Sequence, residues 1–91
     1  MYTPTDPALS IVIPAYNEAA RIGPSLERVV AFAAARAGSC EIIVVDDGSR
    51  DATRAVVAQV AAAHPAVRLV ALAHNSGKGA AVRAGVLASR G

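Results

Sequence analysis

The chain has 91 residues, of which 54% are hydrophobic and 18% charged, a composition that indicates one small globular domain and excludes a disordered segment. Its longest apolar runs are far shorter than the ~20 residues that span a bilayer, and residues 1–8 contain no hydrophobic signal region, so we expect a cytoplasmic protein with a flexible N-terminal lead-in. The charges are unevenly distributed along the chain, whose net charge is +2, because all seven acids lie within residues 1–51. The five bases of residues 52–91 are scattered, which argues against general nucleic-acid binding.

Three β-branched segments alternate with three segments of helical periodicity. The predicted elements are a strand at 9–13, a helix at 24–37, a strand at 40–45, a helix at 52–63 capped by Asp51, a strand at 67–73, and a helix at 78–89 with Val82 and Val86 facing inward. The first helix is placed at Gly23-Pro24 because proline suits the first helical position. The alternation predicts an α/β fold, a three-layer β-α-β-α-β-α unit around a parallel sheet, whose exposed edges could self-associate.

Polar residues are concentrated in the loops that join each strand to the next helix, where parallel sheets bind ligands. In the first loop, Tyr16 can stack on a nucleobase and Glu18 can bond base or ribose groups, or the segment is a solvated loop. In the second, Asp46 can accept from a base or ribose donor and Asp47 can pair with a cation or brace the loop, or both bond local backbone in an Asp-Gly turn. In the third, Lys78 and the free N–H groups of a helix start favour a phosphate, or form a glycine turn with an exposed lysine.

Three familiar phosphate-binding patterns are absent from the sequence. A P-loop needs a glycine five residues before the Gly-Lys pair and a serine or threonine after the lysine, where this chain has Leu72 and Gly79. The first strand-to-helix loop lacks the glycines of a dinucleotide fingerprint. A phosphorelay receiver domain requires an acceptor aspartate after a later strand, and no acid follows Asp51. These three classes of protein are therefore excluded for the sequence given.

Three segments, in this order, resemble the opening of the family 2 glycosyltransferases: Ser10-Ile-Val-Ile-Pro-Ala-Tyr-Asn-Glu18, Glu41-Ile-Ile-Val-Val-Asp-Asp-Gly-Ser-Arg-Asp-Ala-Thr53 and Asn75-Ser-Gly-Lys-Gly79. The resemblance covers the chain from Leu9. Within the family, residues 77–85 and 89–91 look most like those of dolichyl- or polyprenyl-phosphate β-glucosyltransferases. It implies that residues 9–91 are the Rossmann-like N-terminal part of an inverting GT-A enzyme that moves glucose from UDP-glucose to a polyprenyl or dolichyl phosphate. The alternatives are a transferase similar to dolichyl-phosphate mannose synthase, which uses GDP-mannose, and a truncated, non-catalytic nucleotide-binding module.

The resemblance also implies roles for individual residues. Residues expected to bind the nucleotide sugar are Pro14, Tyr16 and Glu18 in the pocket wall, Val44 and Asp46 at the base, Asp47 at the base or ribose side, and Lys78 toward the diphosphate. The family's Asp-x-Asp motif for Mg²⁺ or Mn²⁺ and its general base are expected beyond Gly91, so no catalytic or metal-binding residue is assigned within the chain. The implied partners are a nucleotide-diphosphate sugar and a lipid-phosphate acceptor at the membrane surface, and the 91 residues alone are expected to be inactive.

Overall fold

A computed structural model of the chain describes residues 7–36 and 38–90. Its centre is a parallel sheet of three strands, β1 (Leu9–Ala15), β2 (Cys40–Asp46) and β3 (Val67–Ala71), in the order β1-β2-β3. β1 pairs with β2 from Leu9–Cys40 to Ala15–Asp46, so these two strands end side by side. Residues 41–46 of the central strand are all buried, because β2 is covered on both faces.

Three helices complete the layers: α1 (Ala19–Ala35), α2 (Thr53–Ala63) and α3 (Lys78–Ala88). α1 and α2 cover one face of the sheet around a core that includes Leu26, Ile42 and Val57, each fully buried. α3 crosses the opposite face and packs on β1 and β2. The helices that connect β1 to β2 and β2 to β3 thus lie on one face of the sheet, and α3 runs back toward β1 across the other face. This arrangement confirms the predicted three-layer α/β unit with a parallel sheet.

The predicted start of α1 was wrong. The helix begins at Ala19, not at Gly23-Pro24, and Pro24 lies inside it. The carbonyl oxygen of Glu18 accepts hydrogen bonds from the N–H groups of Arg21 (2.9 Å) and Ile22 (2.8 Å), so the first turn is complete before the proline. Pro24 therefore removes one backbone hydrogen bond from the second turn of α1. The other predicted boundaries lie within two residues of the observed ones.

The predicted inward face of α3 was also wrong. Val82 and Val86 are 38% and 56% exposed, whereas Ala81 and Gly85 are buried against the sheet. A Cβ atom at Gly85 would lie 2.3 Å from Cγ1 of Val12 and 3.0 Å from Cγ2 of Val45. The helix thus approaches the sheet through its small residues, and there is no room on that face for a valine.

Parts of the predicted N-terminal lead-in and of the first helix lie outside the described residues, namely residues 1–6 and Ala37. Next to them, the N–H group of Ala8 donates to both the carbonyl oxygen (3.2 Å) and the hydroxyl (3.0 Å) of Ser39, which joins the start of β1 to the start of β2. None of the described helices combines the length and the apolar character that crossing a bilayer requires.

Candidate functional site

A pocket of about 330 Å³ opens where β1 and β2 end and α3 begins. Its position follows from the topology, because α3 leaves the β3 edge and returns over β1 and β2, so that the loop before α3 meets the ends of both strands. The pocket is lined by Pro14, Ala15, Tyr16, Glu18, Asp47, Asn75, Gly77 and Lys78. An aromatic ring, two carboxylates, an amide and an ammonium group therefore share one cleft.

Five of the seven predicted nucleotide-binding residues are in this lining: Pro14, Tyr16, Glu18, Asp47 and Lys78. The other two, Val44 and Asp46, are fully buried and do not line the pocket. Asn75 was not predicted as a site residue. It follows the third strand just as Asp47 follows the second, so its position at the same edge of the sheet was the signal that could have identified it.

The carboxylate of Asp46 is turned toward α2. Its Oδ2 accepts hydrogen bonds from Nε of Arg54 (2.6 Å) and from the N–H of Ser49 (3.1 Å), and its Oδ1 is buried without a hydrogen-bond partner among the described residues. Asp46 thus braces the turn after β2 from beneath. The predicted contact of Asp46 with a nucleobase stays a prediction.

The carboxylate of Asp47 is directed to the opposite side, toward the start of α3. Its Oδ1 accepts from the N–H of Ser76 (2.7 Å), while its Oδ2 accepts from the N–H of Gly77 (3.0 Å) and Nδ2 of Asn75 (3.3 Å). A negative charge is favoured here by the helix dipole. Asp47 therefore fixes the 75–77 turn, which corresponds to the loop-bracing role that the sequence left open for it.

Gly48 lets the turn after β2 pass close to the loop before α3. Its φ is +73°, and a Cβ atom at this position would lie 2.4 Å from the backbone nitrogen of Asn75. Any other residue would combine a left-handed backbone with a clash against main-chain atoms. The two loops can therefore pass this close to each other only if position 48 is glycine.

The first N–H groups of α3 have no preceding helical turn whose carbonyl groups they could bond. The first backbone bond of the helix is donated by Ala81 to the carbonyl of Gly77 (3.1 Å), so the N–H groups of Lys78, Gly79 and Ala80 have no carbonyl one turn earlier to bond. Nothing lies within 4 Å of the place where a Cβ atom of Gly79 would stand. Open backbone donors, the positive end of the helix dipole and the ammonium group of Lys78 therefore combine into a site suited to an anion.

The loop that carries Tyr16 and Glu18 is held by the loop before α2. The N–H of Asn17 donates to Oγ of Ser49 (2.9 Å), and the N–H of Glu18 donates to Oγ1 of Thr53 (2.8 Å). Tyr16 itself is 42% exposed, so little packing surrounds its ring. Hydrogen bonds from the neighbouring loop are thus the main constraint on this part of the pocket wall.

Asp51 connects the starts of two helices. Its Oδ1 accepts from the N–H of Thr53 (2.9 Å) and from the hydroxyl of Thr53, and its Oδ2 accepts from the N–H of Ala19 (3.2 Å). The N-cap position of α2 is Ala52, one residue later than predicted, but Asp51 still satisfies the first helical N–H. Chiefly through the hydroxyl of Thr53, and with help from the backbone N–H groups, these bonds hold the pKa of Asp51 below its ordinary value against an opposing effect of desolvation.

The lowered pKa of Asp51 predicts a loss of stability in acid. A carboxyl group whose pKa is lower in the folded state stabilises the fold above its unfolded-state pKa, and this contribution is lost as the pH falls through the folded-state pKa. We expect the Tm of the protein to fall as the pH drops below about 4, and to fall less for Asp51→Asn. Thermal unfolding followed by circular dichroism from pH 7 to pH 2 measures both curves, and parallel curves would contradict the prediction.

Residues 7–36 and 38–90 contain no group of three or more histidine, cysteine, aspartate or glutamate side chains placed to hold a metal ion. Oδ2 of Asp47 already accepts two hydrogen bonds from the 75–77 turn and Oδ1 accepts one, which leaves about one acceptor site on Oδ1. The described residues therefore do not fit a resident metal ion, and what they can do chemically is bind and orient a ligand.

The chain is similar in sequence and in fold to known proteins. Residues 10–91 match the family model described as glycosyl transferase family 2. The whole chain is 46% identical to a dolichyl-phosphate beta-glucosyltransferase of Trichomonas vaginalis, of which it spans 28%. Over 91% of its length it is 42% identical to a dodecaprenyl-phosphate galacturonate synthase of Rhizobium johnstonii, of which it spans 25%.

A solved structure with a similar fold is a mannosyltransferase from Pyrobaculum calidifontis, determined in complex with GDP-Man and Mn²⁺. It superposes with a TM-score of 0.77 and 26% identity, covering 94% of this chain and 25% of the mannosyltransferase. The chain thus spans about a quarter of the length of the proteins it resembles.

Proposed function

Because this chain belongs to glycosyl transferase family 2, we propose that it forms the donor-nucleotide-binding part of an inverting glycosyltransferase that moves glucose from UDP-glucose to a polyprenyl or dolichyl phosphate. The observation that carries the proposal is the single cleft into which five of the predicted nucleotide-binding residues converge. The names of similar proteins contain the lipid phosphates dolichyl phosphate and dodecaprenyl phosphate, which supports the choice of acceptor. Such an acceptor would be met at a membrane surface.

In this proposal different walls of the pocket bind different parts of the donor. The ring of Tyr16 stacks on the base, and the carboxylates of Glu18 and Asp47 accept from base or ribose donors. Lys78 and the open N–H groups at the start of α3 bind the diphosphate, because an ammonium group and a helix N-terminus both favour an anion. Val44 and Asp46 are buried beneath this wall, where Asp46 also accepts from the N–H of Ser49, and their contact with the base stays a prediction. Pro14 closes the wall at the end of β1.

Transfer with inversion needs two groups that we do not assign to the described residues, 7–36 and 38–90. A general base must deprotonate the acceptor, and a divalent metal such as Mg²⁺ or Mn²⁺ would supply positive charge to the leaving diphosphate. We place both the base and the metal ligands in the part of the protein that corresponds to the remaining length of its relatives. The role of the 91 residues is therefore to recognise and orient the donor.

A GDP-mannose donor is the second candidate. It is favoured by one specific observation, which is the fold similarity to a mannosyltransferase whose structure contains GDP-Man. The two candidates differ in base and sugar and share the diphosphate, so the same Lys78 end of the pocket serves either.

The test is donor binding and transfer by the full-length protein. We expect calorimetric titration with UDP-glucose to show saturable binding that is tighter than that of GDP-mannose, and radiolabelled glucose to appear on polyprenyl phosphate when Mn²⁺ is added. Tighter binding of GDP-mannose with transfer of mannose would favour the second candidate. Absence of binding for both donors would refute the proposal.

Replacing the single lysine tests the diphosphate end of the pocket. Lys78→Met is expected to weaken UDP binding about tenfold while leaving uridine binding unchanged, because a charge-assisted hydrogen bond to phosphate is lost and the nucleoside contacts remain. Arg28→Met removes the same charge from the exposed surface of α1, outside the pocket, and is expected to change neither affinity. Titration calorimetry with both ligands measures the difference, and an equal loss for UDP and uridine would contradict the assignment of Lys78.

A further inference from the structure

Four hydrogen bonds join residues 17–19, where the Tyr16 loop leads into α1, to residues 49–53, where the next loop leads into α2, and we call this set the clasp. The N–H groups of three successive residues, 17, 18 and 19, donate to Ser49 Oγ (2.9 Å), Thr53 Oγ1 (2.8 Å) and Asp51 Oδ2 (3.2 Å). In return the N–H of Arg50 donates to Oδ1 of Asn17 (2.9 Å). Every bond of the clasp thus pairs a backbone N–H of one of these two segments with a side chain of the other.

We propose that Ser49, Asp51 and Thr53 are positioning residues of the donor site, which hold the backbone of residues 16–18 so that Tyr16 and Glu18 are already in the pocket wall when a nucleotide diphosphate arrives. The inference rests on the proposed function, because it takes the pocket to be the donor site. Residues 49–53 therefore contribute to the affinity for the nucleotide diphosphate, in addition to starting α2.

The backbone at Asn17 shows that this loop needs external support. Its φ is +50°, in the left-handed region that residues other than glycine occupy rarely and asparagine tolerates better than most. Both Tyr16 and Asn17 are exposed, so burial contributes little to holding them. A strained conformation persists only where surrounding contacts determine it. The clasp bonds lie directly on this residue and on the next two.

The clasp residues act on a ligand only through the loop that they hold. Ser49, Asp51 and Thr53 are not in the pocket lining. Thr53 is fully buried, and its hydroxyl accepts from Glu18 while donating to Asp51, so it is occupied on both sides. A loop that is ordered in advance spares the ligand the entropy cost of ordering it. Loosening the clasp must therefore lower nucleotide affinity without removing any direct contact.

Two substitutions of Thr53 separate positioning from packing. Thr53→Val keeps the buried methyl and removes the hydroxyl, whereas Thr53→Ser keeps the hydroxyl and removes the methyl. In the full-length protein we expect Thr53→Val to weaken UDP binding about fivefold to tenfold, the effect of about one lost hydrogen bond. We expect Thr53→Ser to bind UDP within about twofold of the wild type although its Tm falls, because a buried methyl is lost. Calorimetry well below both Tm values measures the affinities, and an equal loss in the two variants would overturn the proposal.

A second measurement does not depend on nucleotide binding. The protein is labelled with 3-fluorotyrosine, and the fluorine signal of Tyr16 is assigned as the one that disappears in Tyr16→Phe. The signal is expected to shift and broaden in Thr53→Val and to keep the wild-type position in Thr53→Ser; an unchanged signal in Thr53→Val would refute positioning. If the wild-type protein binds neither UDP nor GDP, the proposed function fails, and the fluorine signal alone decides whether the clasp positions Tyr16.

Discussion

Asp47→Asn is expected to weaken UDP binding by about 30-fold to 100-fold, the largest effect on binding that we predict from one substitution. The change keeps the size of the side chain but replaces one acceptor oxygen by an NH₂ group, which then meets the N–H of Ser76 or of Gly77. Hydrogen bonds to a charged group contribute about 1.5–3 kcal/mol each, and a buried donor left unsatisfied costs a similar amount. Because the 75–77 turn leads directly into Lys78, losing this anchor disturbs the base side and the phosphate side of the pocket together.

Asp46→Asn is the matched control for this prediction. It makes the same chemical change one residue earlier, where the carboxylate faces Arg54 and the N–H of Ser49 and does not line the pocket. We expect Asp46→Asn to lower Tm more clearly than it lowers UDP affinity, and Asp47→Asn to show the opposite balance. Calorimetry and thermal unfolding of both variants measure this, and a larger loss of affinity in Asp46→Asn would show that Asp46 holds the base, as the sequence predicted.

Gly85→Ala is expected to destabilise the fold by about 2–3 kcal/mol, although alanine favours helices more than glycine does. The added Cβ would lie 2.3 Å from one γ-carbon of Val12, 3.2 Å from the other and 3.0 Å from Cγ2 of Val45. These contacts come from two different β-branched side chains whose rotamers are restricted, so relieving all of them requires α3 to move away from the sheet. Such overpacking costs more than the gain in helix propensity returns.

Gly79→Ala tests the same helix without the clash. Gly79 also lies in α3, and nothing stands within 4 Å of its added Cβ. We expect this variant to be as stable as the wild type or slightly more stable, since alanine is the better helix former. Urea unfolding of both variants gives the two free energies, and equal stability of Gly85→Ala and Gly79→Ala would contradict the close approach of α3 to the sheet.

The strands and the edge that carries the site could be predicted from the sequence. Continuous β-branched runs such as 42–45 identify buried parallel strands, and the order of elements places the three polar loops at one edge of the sheet. Tyr16, Glu18, Asp47 and Lys78 therefore meet as expected, although they are separated by up to 62 positions in the chain. The resemblance to the glycosyltransferase family rested on the same loops, and the family match confirms it.

The features that could not be predicted depend on contacts between distant segments. Helical periodicity counts apolar side chains, so it favoured Val82 and Val86 and could not detect a face buried through Gly85. The preference of proline for the first helical position depends only on local sequence. It did not reveal that α1 begins at Ala19, where the carbonyl of Glu18 accepts the first hydrogen bonds of the helix. Asp46 and Asp47 are chemically alike, and only the side on which α3 packs decides which of them reaches the pocket.

The alternation of Asp46 and Asp47 limits how the length of the chain can vary. Because neighbouring residues at the end of a strand point to opposite faces, these two carboxylates reach opposite layers, α2 on one side and the start of α3 on the other. An inserted or deleted residue at the end of β2 would exchange the two faces and leave each carboxylate against the wrong partners. The connection at residues 64–66, at the other end of the sheet, is held by backbone hydrogen bonds from the N–H of Ile42 to Ala66 (2.8 Å) and from the N–H of Val67 to His64 (3.0 Å), which do not depend on the identity of its side chains. We therefore expect the turn after β2 to tolerate a change of length less well than residues 64–66 do.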